Sequence, residues 1–207
     1  MHLEFVDLLR CPRPHDESGL VAAITRMEGR DVREGKLGCP VCGAEYHIRE
    51  SVAIFSDYPP KTVAGDLALT DLDAAATTIA AFLDLTRPGM LVLLAGNWAL
   101  ASEQVAELTG ARIVALDASP NYARSESVAS VRADVRLPLA NRSLDGIALD
   151  EAHSTRETLN DAARLLRPRA RIVAAAAAEL SSHFRDLARD SSHVVAEYVG
   201  ELVSLRR

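Results

Sequence analysis

The residue types best suited to chemistry lie near the start of the chain. Cys39-Pro40-Val41-Cys42 is a C-x-x-C turn, which points two sulfurs at one centre. Cys11 supplies a third sulfur and completes the chain's set of 3 cysteines. A matching C-x-x-C would place a cysteine at position 14. Pro14 stands there instead and His15 follows, giving Cys11-Pro12-Arg13-Pro14-His15. Tetrahedral zinc takes four nitrogen or sulfur ligands. The pattern therefore predicts a structural zinc held by Cys11, His15, Cys39 and Cys42, with His47 as the fallback fourth ligand. Two readings compete with it. The cysteines are ordinary small core residues, or Cys39 and Cys42 form a redox pair, for which no βαβ context surrounds Cys39.

A second group lies further on. The apolar run Leu91–Leu94 stops at Ala95-Gly96-Asn97-Trp98, and a helix-like segment follows. Nucleotide-binding α/β folds keep their ligand loop at such a place, and these loops use glycine to let the backbone approach the ligand. Gly96 is the one glycine here, and Trp98, the chain's single tryptophan, is two residues away. Trp98 reads as a core or interdomain anchor, as a wall of a pocket, or as a side chain filling the ligand's space. Asp117, Asp134 and Asp150 each end a strand-like run, so one sheet edge would gather them beside Gly96. Asp150 or His153 could form a general base, but such residues are more often solvated, and no catalytic residue is assigned. His183 and His193 read as exposed. There is no GxxxxGK[ST], HExxH or GxSxG motif.

The elements that must position these groups change character near Asp57-Tyr58-Pro59-Pro60-Lys61. The Pro-Pro pair reads as a linker, which divides the chain into residues 1–60 and 61–207. In the first part, Phe5–Leu9 is a short amphipathic segment, and 19–27 and 46–55 are strand-like. In the second part, Thr70–Leu85 has helical spacing at Leu72, Ala76, Ile79 and Leu83. Strands follow at Leu91–Leu94, Arg112–Leu116, Ser127–Ala133, Leu144–Leu149 and Arg171–Ala176. Between them, Ala101, Val105 and Leu108 give one helix its face, with Gly110 as its stop. Ser154-Thr155-Arg156-Glu157 fits a capping box for another helix, which stops at Pro168. Leu180–Ala188 reads as a helix, and His193–Val199 with Glu201–Leu205 as a strand pair turning at Gly200. This alternation predicts an α/β fold with a parallel sheet covered on both faces.

Composition narrows the partners. The chain has 207 residues and a net charge of −6, which argues against general nucleic-acid binding or attraction to anionic membranes. The end Leu205-Arg206-Arg207 is too small a basic patch to change this. No apolar run approaches the length of a membrane helix, and the start lacks a signal-peptide pattern. A cytoplasmic protein is the expectation, and reduced cysteines suit it.

Two resemblances sharpen the reading. Leu8-Leu9-Arg10-Cys11-Pro12, followed by Leu37-Gly38-Cys39-Pro40-Val41-Cys42-Gly43-Ala44-Glu45-Tyr46-His47-Ile48, resembles the small zinc-ribbon family that activates tRNA and protein methyltransferases, over residues 1–56. The resemblance implies a partner-binding module without catalysis of its own. Pro14 departs from the family's second cysteine. The segment Ala133-Asp134-Val135-Arg136-Leu137-Pro138-Leu139 through Ser143-Leu144-Asp145-Gly146-Ile147 resembles class I S-adenosylmethionine-dependent methyltransferases. So does Ala163-Arg164-Leu165-Leu166-Arg167-Pro168, and the likeness spans residues 65–207. It implies a Rossmann-like doubly wound sheet, with Gly96 and Asn97 in the cofactor loop, Asp117 on the ribose hydroxyls and Asp134 on the adenine amine. The family's first motif falls on Leu93, Ala95, Asn97 and Ala99, so its acid and three glycines are absent. The expectation is a methyltransferase-like protein with a degenerate S-adenosylmethionine site that acts as a partner-binding or assembly module. The alternative is an active enzyme with an unusual cofactor loop.

Overall fold

A strand covered on both faces must be apolar at every position, and β5 (Leu91–Ala95) is buried throughout in a computed structural model that describes residues 1–56, 71–117, 126–134 and 136–200. Side chains alternate along a strand. Leu91, Leu93 and Ala95 accordingly enter one core cluster, and Val92 and Leu94 enter the other. β6 (Arg112–Leu116) and β8 (Leu144–Ala148) pair in parallel on the two sides of β5. β7 (Val128–Arg132) lies beyond β6, and β9 (Leu166–Ala175) lies beyond β8. The helices α2 (Leu72–Leu83) and α3 (Ser102–Thr109) supply Ile79, Leu83 and Val105 to one cluster. The helices α1 (Leu3–Val6) and α4 (Arg156–Leu165) supply Phe5, Val6, Leu159 and Leu165 to the other. The sheet is therefore doubly wound, and its strand order turns at β5, where such folds place ligands beyond the carboxyl ends.

The cysteine-bearing region builds β1 (Val21–Glu28), β2 (Asp31–Gly38), β3 (Glu45–Arg49) and β4 (Val52–Ile54), paired antiparallel in sequence. Glu50 and Ser51 take the positive φ values of 49° and 65° that a two-residue hairpin turn requires. β4 then pairs in parallel with β7, placing Ala53 beside Val131. With β11 (His193–Tyr198) and β10 (Phe184–Arg189) at the far end, the described residues form one 11-stranded sheet, in the order β1-β2-β3-β4-β7-β6-β5-β8-β9-β11-β10. A second junction forms where the Arg10 N–H donates to the Pro138 carbonyl at 2.9 Å and the Ala140 N–H to the Leu8 carbonyl at 3.1 Å. The expected boundary at 57–61 lies outside the described residues, as do the expected strand 201–205 and the terminal basic residues. No helix among the described residues is long and apolar enough to cross a membrane.

Three local expectations are corrected. Residues 180–188 are not helical: β10 (Phe184–Arg189) is a strand antiparallel to β11 (His193–Tyr198), which is itself antiparallel to β9. β10 is an almost wholly exposed edge strand, so no two-residue apolar alternation marked it, and pairing with β11 overrides its helical spacing. Leu108 is 57% exposed rather than on the buried face of α3. The cap of α4 is Thr155, whose hydroxyl accepts from the Thr158 N–H, and not Ser154. The Ser154 hydroxyl instead bonds the Asp150 carbonyl at 2.7 Å and accepts from the Ala175 N–H. β2 had no sequence signal, because its charged residues and glycines hide the buried Val32 and Leu37.

Candidate functional site

Two clusters gather the residues singled out above. The first begins with the turn after β2, where the Cys39 N–H donates to the Ala44 carbonyl and the Gly43 N–H to the Cys39 carbonyl. Gly43 sits at a φ of 68°. This turn presents Cys39 and Cys42 to Cys11 and His15, and the four ligand atoms all lie within 4.8 Å of one another. The sulfurs of Cys11 and Cys42 are 3.7 Å apart, and Cys39 Sγ lies 3.4 Å from His15 Nε2. A tetrahedral zinc with bonds of about 2.3 Å to sulfur and 2.0–2.1 Å to nitrogen has edges of about 3.8 and 3.5 Å. These two pairs stand at such spacings. The His15 Nδ1–H donates to the Asp16 carbonyl at 2.6 Å, which leaves Nε2 as the lone-pair nitrogen facing the sulfurs. Burial pushes the Cys39 thiol up, but the N–H groups of Cys42 and Val41 outweigh it and bring the thiol down to about 6. Burial raises the Cys11 thiol, whose sulfur meets the Tyr46 hydroxyl at 3.4 Å. His47 is not part of the cluster. Tyr46 stood in the ribbon-like segment at its spacing from Cys42, but its contact with Cys11 was not read from the sequence.

The second cluster lies at the carboxyl edge. Gly96 opens a 3₁₀ turn, Gly96–Ala101, directly after β5. The Asn97 N–H donates to Asp150 Oδ2 at 3.0 Å. A Cβ on Gly96 would lie 1.9 Å from that oxygen, and Gly96 has a φ of 59°, so both space and backbone require glycine here. Asp150 Oδ1 accepts the His153 N–H at 3.1 Å and faces His153 Nδ1 at 2.6 Å. His153 Nε2 is 3.2 Å from Asp117 Oδ2. Burial pushes the His153 pKa down, but Asp117 and Asp150 outweigh it and raise it to about 9. Burial likewise acts to raise Asp150, but the hydrogen bonds from His153 and the Asn97 N–H hold its carboxyl below the usual range. His153 is therefore an imidazolium at neutral pH with both nitrogens engaged, which leaves it unable to take a proton from a substrate.

The expectation that Asp150 and His153 are solvated is corrected, since both are buried. Asp117 comes to the same edge at a φ of 55°, with its side chain 3% exposed. Its Oδ1 is buried and has no hydrogen-bond partner. Asp134 is exposed two residues beyond β7 and does not join the group. Trp98 packs against the α2–α3 cluster and faces the His193 ring at 5.1 Å, in keeping with its reading as an anchor. His183 and His193 are half-buried rather than exposed. The sequence pointed to Asp150 and His153 through their place after β8. The bond from Asp150 to Asn97 joins residues 53 apart, and no local pattern encodes it.

No family model and no curated protein matches the chain. Solved structures with a similar fold include a Galdieria sulphuraria protein described as a sarcosine dimethylglycine methyltransferase, at 17% identity and a TM-score of 0.42 over 51% of this chain and 46% of that one. The 1,6-didemethyltoxoflavin-N1-methyltransferase of Burkholderia thailandensis, solved with its substrate and S-adenosylhomocysteine, is 22% identical with a TM-score of 0.42, over 64% of each chain. The antibiotic-resistance methyltransferase Kmr is 15% identical with a TM-score of 0.43, over 67% of this chain and 96% of that one. The chain spans less than half the length of the Galdieria protein and just under two thirds of the Burkholderia enzyme.

Proposed function

We propose that this chain is a methyltransferase-like protein that does not transfer methyl groups and serves as a binding or assembly module. One observation carries the reading. The Asp150 carboxylate takes the Asn97 N–H and stands where a Gly96 side chain would go, while His153 ties Asp150 to Asp117. The residues that would receive S-adenosylmethionine in this fold are thus bonded to one another. The Asn97 N–H, in this reading, is no longer free to donate to the carboxylate of the cofactor's amino-acid end. In this reading Cys11, His15, Cys39 and Cys42 hold a structural zinc that fixes the first strands, and the region around it meets a protein partner in the cytoplasm. Val21 and Val41, 65% and 63% exposed, support that placement, because both flank the cluster. β4 is engaged by β7, so the outer side of β1 is the strand edge left for such a partner.

The alternative, an active S-adenosylmethionine-dependent methyltransferase, is favoured by the buried unpaired oxygen of Asp117, which could accept a ribose hydroxyl. Calorimetric titration separates the two. Silence with millimolar S-adenosylmethionine supports the binding module, and micromolar affinity overturns it.

A further inference from the structure

The sulfurs of Cys11, Cys39 and Cys42 converge with His15 on one centre, but their surroundings differ. Cys42 is exposed, while Cys11 and Cys39 are buried. The Cys39 sulfur accepts from the N–H groups of Cys42 and Val41 and lies 3.4 Å from His15 Nε2, so its lone pairs are engaged inside the turn. Cys11 Sγ faces Cys42 Sγ at 3.7 Å, across 31 positions of chain. The arm that carries Cys11 is itself tied to the segment after β7, through the Arg10 N–H on the Pro138 carbonyl and the Ala140 N–H on the Leu8 carbonyl.

We infer that Cys42 and Cys11 form a reversible oxidation site, in which a disulfide replaces the metal as the link between this arm and the Cys39–Cys42 turn. The oxidant class is a hydroperoxide. The Cys42 thiolate, the sulfur that solvent reaches, attacks the peroxide. An S–O bond forms, the O–O bond breaks, and the leaving alkoxide or hydroxide takes a proton from water. The Cys11 thiolate then attacks the same sulfur. An S–S bond forms, the S–O bond breaks, and hydroxide leaves. The two sulfurs together give up two electrons, which the peroxide oxygens accept. Two of the four metal ligands are consumed, and Cys39 with His15 is too small a set to keep zinc. Cys39 is the poorer partner for Cys42, because a sulfur already engaged by N–H groups is a weaker nucleophile. A Cys39–Cys42 bond would also stay within a single turn, whereas a Cys11–Cys42 bond spans 31 positions and constrains the unfolded chain more. The disulfide therefore keeps the region closed once the metal has gone. The inference rests on the structural-zinc reading and adds a redox control to that site.

Hydrogen peroxide is the probe, added to the full chain purified with its zinc. Release of about one zinc per chain, read with a chromogenic zinc indicator, should accompany a mass loss of about 2 Da. Peptide mapping without reductant should join Cys11 to Cys42 and leave Cys39 open to alkylation. Dithiothreitol with added zinc should restore the starting mass and metal content. The oxidised, metal-free chain should melt above the reduced chain stripped by a chelator, since only the disulfide distinguishes them. Zinc retained under peroxide with all three thiols reduced, a bond between Cys39 and Cys42, or equal melting of the two metal-free forms overturns the inference and leaves the zinc reading standing. A chain that purifies without zinc overturns that reading and this inference with it.

Discussion

The two clusters hold comparable donor sets and use them in opposite ways. At the cysteine cluster, three sulfurs and one imidazole nitrogen converge, with the closest pairs at 3.4 and 3.7 Å, and the Tyr46 hydroxyl and a few backbone N–H groups are their other partners. At the carboxyl edge, two carboxylates converge on one imidazolium and a backbone N–H. The first is an arrangement that a cation completes. The second has completed itself, apart from one Asp117 oxygen. Proximity of chemistry-bearing side chains therefore does not by itself mark a receptive site. What matters is whether their lone pairs and protons are still free.

Removing the metal is the largest test of this contrast. Structural zinc contributes on the order of 10 kcal/mol to small ribbon-like folds, and the region from β1 to β4 has a thin core of its own. Zinc should copurify in near-equal ratio, and a strong chelator or Cys39→Ser should lower the melting transition more than any change at the edge. Elemental analysis without zinc, or a transition that a chelator does not move, breaks the comparison. His153→Ala comes next. It leaves two buried carboxylates without their shared cation, a loss of about 3–5 kcal/mol. Denaturant unfolding that shifts by less than about 1 kcal/mol would mean that the edge is not held together by this residue.

The contrast also explains what the sequence could reveal. The C-x-x-C turn and the C-x₃-H pair are local patterns, and local patterns identified all four members of the first cluster. The all-apolar run at 91–94 announced a buried strand, because burial on both faces permits no polar position. The second cluster was only half legible. Asp117 and Asp150 were visible as acids at strand ends and His153 as a possible base beside Asp150, but their bonding depends on how β5, β6 and β8 lie side by side. β10 was misread for a related reason. Its residues are exposed and carry no alternation, so only its partner β11 makes it a strand.

Gly96→Ala probes the self-completed edge with a smaller perturbation. The methyl group would sit 1.9 Å from Asp150 Oδ2 at a φ of 59°, so the carboxylate must move and the Asn97 bond must break. Strain and a displaced buried charge together should cost about 3 kcal/mol. A fully stable variant would show that the Asp150 seat is loose and that the loop is free to take a ligand. The cysteine cluster should keep its metal in this variant, since none of its ligands lies in that loop.

The mildest test is pH, because it alters charge without removing atoms. The folded pKa of His153 is raised to about 9, above its ordinary 6.5. A raised histidine contributes stability that is fully present below the unfolded value and is lost as pH climbs through the folded one. Stability should therefore fall by about 2 kcal/mol between pH 7 and 10, and His153→Gln should flatten that slope. Acid acts on the other region. Cysteine and histidine must be deprotonated to hold a metal, so zinc should leave as the pH drops. The two clusters then carry opposite signatures, metal loss on the acid side and loss of the imidazolium bridge on the alkaline side. An alkaline slope that survives in His153→Gln would assign it to another group. The shared imidazolium would then not be what closes the edge, and the distinction between the two clusters would rest on the metal alone.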